Sequence, residues 1–216
     1  MRLPLLLCHL GGLAALAALA HAAGATSLGY LKPRSSRTIT ASPWGVQSGD
    51  NERVTLFNRA GELGVKWTRF LAVWPEVEKA RGHYDFSSVD EPVNAALAQG
   101  ITPLFSISNC NKLYYRTIPN PDANWRLIYG IKPAPPILDE QAMAAWLDYV
   151  EAVVRHARDR VHHWEIWNEP NHYAYWGAPP NAADYGRLVR LTAARIKSVQ
   201  PGAIIIAGAL AGLDPK

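Results

Sequence analysis

The chain has 216 residues, of which 49% are hydrophobic and 19% are charged, and its formal net charge is +4. These proportions exclude a low-complexity chain and predict one soluble domain with a sizeable core. The basic residues are scattered along predicted helices and form no basic run interleaved with aromatic residues, so we expect no nucleic-acid partner.

Residues 1–25 are predicted to be a secretory signal peptide. A basic start at Arg2 precedes an almost wholly apolar run over residues 3–20, and small residues beyond it provide a cleavage site. The alternative is an uncleaved anchor, but His9 and nearby glycines interrupt a run that is short for the roughly 20 apolar residues that span a bilayer. We therefore expect a secreted or periplasmic protein without stable membrane insertion after cleavage.

The segment that follows is predicted to be an extended lead-in over residues 26–43, with the folded domain at residues 44–216. Cys8 lies inside the predicted signal peptide, so its removal would leave Cys110 without a partner for an internal disulfide. No cross-link is therefore expected to support the domain.

From residue 44 onward the hydrophobic pattern alternates between strands and helices. Apolar runs predict five strands, at residues 44–47, 65–73, 101–107, 161–167 and 203–210. Helical spacing predicts four helices between them, opened in three cases by Asp50, Asp90 and Asn181 and marked in the other by an apolar stripe over residues 143–157. A long loop over residues 109–136 precedes that third helix. This alternation predicts a parallel sheet covered by helices, either doubly wound or a barrel.

The loops favour the barrel. No glycine-rich phosphate loop follows the first strand, where the sequence is Gln-Ser-Gly-Asp. Polar and aromatic residues collect after the strands instead, as they do on the active face of a (β/α)8 TIM barrel. They are Gln47, Trp74, Asn109, Asn111, Tyr114, Tyr115, Asn168 and Glu169.

The clearest functional signal is the run Trp-Asn-Glu-Pro at residues 167–170. Pro170 has no N–H group and restricts the residue before it, so we expect Glu169 to be extended and the strand to stop there. An isolated motif of this kind would be interpreted as a turn with a solvated glutamate. Trp167 and Trp176 flank it, however, and apolar surroundings favour the protonated carboxyl that glycosidic cleavage needs.

At these residues the sequence resembles glycoside hydrolase clan A, whose retaining enzymes share a (β/α)8 barrel with a fourth strand that ends in Trp-Asn-Glu-Pro. The resemblance runs from about residue 44 to the C-terminus and includes Arg69, Trp74 and residues 82–86. The run Trp-Glu-Ile-Trp-Asn-Glu-Pro-Asn at residues 164–171 is most similar to family 39 and the related family 5. An oligo- or polysaccharide substrate is implied.

The resemblance also implies residue roles. Glu169 would be the acid/base, Asn168 would bond the sugar 2-hydroxyl and Arg69 would support the carboxylates. Further substrate contacts are predicted for Trp74, Trp167, Trp176, Asn109 and Asn171, and Trp44 is another tryptophan that could stack on a sugar.

Other polar residues have simpler interpretations. Glu165 shares strand parity with Glu169, and an unpaired charge inside a barrel is costly, so we expect a structural pairing with Arg69 or another base. His162 and His163 are separated from His172 by most of a strand length, so we expect no metal site, and no cofactor is implied.

The chain is expected to be the N-terminal part of a barrel, with about its first five βα units. A full barrel needs about 250 residues, and in the resembling enzymes the nucleophile follows the seventh strand. Glu76 is the nearest internal substitute, in what is predicted to be a loop. Residues 26–216 alone should therefore bind sugar weakly and hydrolyse nothing. The alternative is a carbohydrate-binding or scaffold barrel without catalysis.

Overall fold

The computed structural model describes residues 38–47, 53–114 and 134–212. The predicted signal peptide, Asp50 and most of the predicted long loop lie outside the described residues. The elements in chain order are β1 (Gly45–Gln47), α1 (Arg53–Glu62), β2 (Trp67–Val73), α2 (Trp74–Val77), β3 (Glu78–Ala80), β4 (His83–Tyr84), α3 (Ser87–Ala98), β5 (Thr102–Ser108), a 3-10 turn (Pro136–Leu138), α4 (Glu140–Ala157), β6 (His163–Ile166), α5 (Tyr173–Trp176), α6 (Ala182–Val199) and β7 (Ile204–Ala207).

The main sheet has five strands in the order β1-β2-β5-β6-β7, and every neighbouring pair is parallel. Parallel neighbours require long crossovers, which contain α1, α3, α4 and α6. A doubly wound sheet would reverse its strand order at a switch point. Here the order follows the chain without reversal, which confirms successive βα units of an incomplete (β/α) barrel. The two short strands β3 and β4 form a separate antiparallel hairpin.

The two faces of the sheet differ because side chains alternate along each strand. One face is buried against the helices and is almost wholly apolar, with Phe70, Phe105, Ile107, Trp164 and Ile166. The opposite face carries Arg69, Ser106 and Glu165. The barrel interior is therefore the polar side of the sheet.

Of the two predicted helix caps that lie among the described residues, one is confirmed and one is wrong. The Asn181 side chain accepts hydrogen bonds from the N–H groups of Ala183 and Asp184 at 2.8 and 3.2 Å, which confirms the predicted cap of α6. The predicted cap at Asp90 is wrong, because α3 already begins at Ser87. Asp90 lies inside the first turn, where its carboxylate instead reaches α4.

One other local expectation changes. Residues 74–76, predicted to be a loop, begin the short helix α2, with proline in its first turn.

Among the described residues, no helix is both long enough and apolar enough to cross a membrane.

Candidate active site

The backbone is unusual where the strands end. In the described part of the chain, the non-glycine residues with positive φ are Asn109 at 77°, Trp167 at 69° and Glu169 at 51°. Each lies just beyond the C-terminal end of β5 or β6. Such conformations cost free energy and cluster at functional sites. Glu169 is therefore left-handed, and the expectation that Pro170 would make it extended is wrong.

Hydrogen bonds explain the conformation of Glu169. Its N–H group donates to the carbonyl oxygen of Ala209 at 2.8 Å, and its own carbonyl accepts from the N–H group of His172 at 3.0 Å. The chain therefore turns immediately after the strand. The strand β6 stops at Ile166, three residues before the predicted end, and Asn168 and Glu169 follow its C-terminal end as expected.

Arg69 is the centre of a polar network inside the barrel. Its Nε donates to Glu165 Oε2 at 2.7 Å, which confirms the predicted pairing of these two residues. Its Nη2 donates to Asn168 Oδ1 at 2.8 Å and to Ser106 Oγ at 3.3 Å. Its Nη1 donates to Gln47 Oε1 at 3.1 Å. One guanidinium thus connects β1, β2, β5 and β6.

Glu165 is held from two sides. Only 5% of the residue is exposed, and its second carboxylate oxygen accepts from the N–H group of Ala209 at 3.1 Å. The same Ala209 residue accepts the hydrogen bond from Glu169 through its carbonyl oxygen. The segment after β7 is therefore tied to both glutamates of β6 and its C-terminal extension.

The contact with Arg69 orients the Asn168 side chain. Because Oδ1 accepts from the guanidinium, the amide nitrogen Nδ2 remains as a hydrogen-bond donor for a ligand. Asn168 is half-buried, as is Glu169. Among the described residues, no group donates a hydrogen bond to the Glu169 carboxylate. The site thus combines an oriented amide with an available carboxyl group.

Gly208 and Tyr185 support this arrangement and were missed by sequence reasoning. A Cβ atom at Gly208 would lie 2.4 Å from the carbonyl oxygen of Trp167 and 2.7 Å from that of Ile166. The Tyr185 hydroxyl donates to the Ile166 carbonyl at 2.9 Å and accepts from the Gly208 N–H group. Burial raises the pKa of Tyr185, with a smaller contribution from Glu165. The sequence signal for Gly208 was a glycine inside the apolar run predicted as the fifth strand, since such a glycine often marks a close approach of another backbone segment.

Trp74 does not present its ring to a substrate, and the predicted contact is wrong. The ring is buried between Tyr114 and Tyr149, stacked at centroid distances of 5.4 and 5.5 Å. Its Nε1 donates to Glu78 Oε2 at 2.6 Å. The ring is therefore part of the core.

The predicted stacking roles of Trp167 and Trp176 are also wrong. Both rings are buried and meet edge to face at 5.7 Å. Trp167 also packs on Trp146 of α4 at 5.8 Å. Trp44 is 76% exposed, but it precedes β1 and therefore lies at the opposite edge of the sheet from Glu169. These side chains were misassigned because sequence alone does not show which helices cover a ring.

Glu78 is a buried carboxylate that sequence reasoning did not single out. It accepts from Trp74, from the Gly82 N–H group at 2.7 Å and from the Tyr114 hydroxyl. Burial, followed by the negative charge of Glu78, raises the pKa of Tyr84 to about 12. These contacts join the β3-β4 hairpin to the segment that follows β5.

The two remaining predicted contacts differ. Asn109 is half-buried at the end of β5 and its Oδ1 accepts from Ser108 Oγ at 2.8 Å, so its role in binding stays a prediction. Asn171 is bonded instead to Ala211, donating to its carbonyl at 3.1 Å and accepting from its N–H group at 2.9 Å. Asn171 is exposed, and its contact with a sugar stays a prediction. Within the described ranges, no group of three His, Cys, Asp or Glu side chains could hold a metal ion.

The fold and the position of these residues define part of a (β/α) barrel with a polar site at the C-terminal ends of its strands. No family model matches the chain. It is 28% identical over 141 residues to a β-xylosidase from Geobacillus stearothermophilus, covering 61% of this chain and 26% of that protein.

Two solved structures are similar in fold to this chain and are also matched over only part of their length. A family 39 glycoside hydrolase from Bacteroides cellulosilyticus WH2 matches with a TM-score of 0.59 and 26% identity, over 76% of this chain and 31% of that one. A monomeric β-xylosidase from Caulobacter crescentus CB15 has the same fold, with a TM-score of 0.56 and 21% identity, over 75% of this chain and 34% of that one. The resemblance to clan A glycosidases, and to family 39 in particular, is confirmed. The chain spans about a quarter to a third of the length of these relatives.

Proposed function

We propose that this chain carries the acid/base part of the active site of a retaining O-glycosidase. The observation that carries the proposal is the half-exposed Glu169 carboxyl group next to the Asn168 amide, which Arg69 orients at 2.8 Å. Similarity to glycoside hydrolases that include a β-xylosidase supports this chemistry. A β-xyloside is therefore the first substrate to test.

The proposed reaction has two displacements. In the first, Glu169 donates its proton to the glycosidic oxygen while a second carboxylate attacks the anomeric carbon, so the C–O bond breaks and the aglycone leaves as an alcohol. In the second, the Glu169 carboxylate takes a proton from water, whose oxygen displaces the enzyme carboxylate from the sugar. The Asn168 amide is proposed to bond the sugar 2-hydroxyl during both steps.

The nucleophile is proposed to come from outside the described residues. A retaining enzyme needs its two carboxyl groups about 5 to 5.5 Å apart. Glu165 is an unsuitable candidate because Arg69 and the Ala209 N–H group already occupy both of its oxygens. Glu76 is half-buried on α2, which follows β2, whereas Glu169 follows β6.

The test uses the full-length protein that contains these residues. Glu169→Ala should slow hydrolysis of xylo-oligosaccharides by about 10²- to 10⁴-fold and activated aryl glycosides much less, because a good leaving group needs little protonation. Azide should partly restore the aryl reaction by attacking the glycosyl-enzyme. Glu76→Ala is the matched control and should leave the ratio of the two rates unchanged.

Other outcomes would count against the proposal. Equal loss on both substrate types, without rescue by azide, would remove Glu169 from the acid/base role. Wild-type protein that binds xylo-oligosaccharides but turns over none of them would favour a carbohydrate-binding barrel without catalysis.

We also propose that the protein is exported. The support is the apolar run at residues 3–20, which follows a basic start and precedes small residues. N-terminal sequencing of the mature protein should find its first residue near position 26, and an intact N-terminus in the cytoplasm would contradict export.

A further inference from the structure

The β3-β4 hairpin is fastened to residues 109–114, which follow β5 and are called the β5 segment below. The Asn111 side chain is buried, and its amide nitrogen donates to the backbone carbonyl of Glu78 at 2.8 Å. The Tyr114 hydroxyl donates to the Glu78 carboxylate. A single hairpin residue therefore binds the β5 segment through both its backbone and its side chain.

The Glu78 carboxylate is suited to this position because all its partners donate. Trp74 Nε1 occupies one oxygen at 2.6 Å, and the Gly82 N–H group and the Tyr114 hydroxyl share the other. Glu78 is 1% exposed, so water does not compete for these bonds. Hydrogen bonds to an ionised acceptor are about twice as strong as bonds between neutral groups. The carboxylate thus fixes the hairpin and the β5 segment together.

Asn109 lies between two fixed points of the chain. Before it, Ile107 is paired with Ile166 in the register of β5 and β6, and its carbonyl accepts from the Trp167 N–H group at 2.9 Å. After it, Asn111 is bonded to the hairpin. The φ of 77° at Asn109 costs free energy and persists where the surroundings enforce it.

The register relates Asn109 to the proposed site. Two residues beyond the paired Ile107 and Ile166, the two chains reach Asn109 and Asn168. Neighbouring strands lie about 4.8 Å apart, so these two amides follow adjacent strands at the same level. Asn109 Oδ1 accepts from Ser108 Oγ at 2.8 Å, which leaves its amide nitrogen as a donor for a ligand.

We propose that Glu78 is a positioning residue for substrate binding. Its carboxylate fixes the β5 segment, and the segment holds the Asn109 amide where it donates to a sugar hydroxyl. The inference rests on the proposed function, since it assigns Asn109 to the same sugar that Asn168 binds. Glu78 itself is buried and acts only through its partners.

The experiment uses the full-length protein and a xylobiose with sulfur in place of the glycosidic oxygen, which resists hydrolysis. Tyr114→Phe removes the hydroxyl that joins the β5 segment to the Glu78 carboxylate. It should raise the dissociation constant measured by calorimetry about fivefold, the value of about one hydrogen bond. It should also raise KM for an aryl xyloside and keep kcat within about twofold of the wild type. A mere loss of folded protein would lower kcat and leave KM unchanged.

Asn109→Gly separates positioning from packing. Glycine adopts positive φ freely, so this variant keeps the backbone conformation and removes the amide. It should weaken binding to a similar extent. Adding Tyr114→Phe to it should have little further effect, because the group that Glu78 positions is already gone.

Tyr84→Phe is the matched control. Tyr84 belongs to the same hairpin, and among the described residues its hydroxyl makes no hydrogen bond to the β5 segment. This variant should bind the thio-linked sugar like the wild type. Amide hydrogen exchange in the β5 segment needs no ligand and should be faster in Tyr114→Phe than in Tyr84→Phe.

Three outcomes in the binding experiment overturn the proposal: Tyr114→Phe binds as tightly as the wild type, its effect is undiminished when combined with Asn109→Gly, or Tyr84→Phe weakens binding equally. If the wild type binds no thio-linked xylobiose, the proposed substrate is contradicted and hydrogen exchange decides the role of Glu78, with unchanged exchange in Tyr114→Phe overturning it. Because this probe is not cleaved, the expected binding results together with a failed Glu169→Ala test would contradict the proposed function alone.

Discussion

Glu165 and Glu169 are four residues apart in one short stretch of chain, yet their surroundings differ completely. Glu165 lies within β6, is 5% exposed and has both carboxylate oxygens occupied by Arg69 and Ala209. Glu169 lies beyond the strand, is half-exposed and has a left-handed backbone. The sequence gives both residues the same strand parity, and it predicts a structural pairing for Glu165 only because an unpaired buried charge is costly.

The difference shows how a barrel separates a paired carboxylate from an available one. Inside the sheet, neighbouring strands supply partners for a buried charge, which is then unavailable for proton transfer. Past the end of the strand, no described residue donates a hydrogen bond to the Glu169 carboxylate. Ala209 connects the two positions, because its N–H group donates to Glu165 and its carbonyl accepts from the N–H group of Glu169.

The largest expected effect comes from removing the partner of Glu165. Arg69→Met should lower the free energy of unfolding by about 3 kcal/mol, because it leaves a buried carboxylate without its cation. Glu169→Gln should change stability by less than about 0.5 kcal/mol, because its side chain is on the rim. Urea unfolding at neutral pH measures both values.

A double variant sharpens this comparison. Arg69→Met combined with Glu165→Met removes both charges and should recover much of the lost stability. If Arg69→Met alone costs no more than Glu169→Gln, the distinction between a structural and a rim glutamate does not hold.

A smaller effect is expected at the contact between the two regions. Gly208→Ala should destabilise the protein by about 1 to 3 kcal/mol, because the added Cβ would lie 2.4 Å from the Trp167 carbonyl oxygen and the backbone must shift. The shift should also displace the adjoining Asn168 and Glu169. Thermal unfolding and xyloside hydrolysis measure the two consequences.

Gly202 provides the matched control for that substitution. A Cβ at Gly202 would meet no atom within 4 Å, so Gly202→Ala should leave both measurements nearly unchanged. Equal effects of the two alanine substitutions would show that the close approach at Gly208 is unimportant.

The smallest effect concerns a third kind of carboxylate, paired at the surface. Burial alone would raise the pKa of Asp90, but hydrogen bonds and charge from His156 and Arg160 outweigh it and lower the pKa. The folded protein therefore binds fewer protons here than the unfolded chain. Its contribution to stability is present above the unfolded value of about 3.9 and is lost as the pH falls through the lower folded pKa.

Solvent screening should limit this contribution to less than about 1 kcal/mol. Unfolding in urea from about pH 6 down to pH 3 should show a steeper loss in the wild type than in Asp90→Asn. Asp159→Asn changes an exposed aspartate and is the control. Parallel curves for wild type and Asp90→Asn would contradict the pairing.

Much of the architecture follows from the sequence alone. Alternating apolar runs and helical stripes determine the order of strands and helices, and Asn181 marks the start of α6 because its side chain satisfies N–H groups close to it in the chain. The fourth parallel strand ends at Ile166, a few residues before Pro170. These signals are local, since each depends on residues within a few positions of one another.

The tertiary structure decided what each polar or aromatic side chain does. Whether Trp176 is a sugar platform or part of the core depends on Trp167 and Tyr185, which pack against it only in the folded chain. The absence of a side chain at Gly208 matters only because β6 brings the Trp167 carbonyl so close. The hydrophobic pattern records that a residue avoids water, but not which element covers it, because burial is a property of elements far apart in sequence that meet in space.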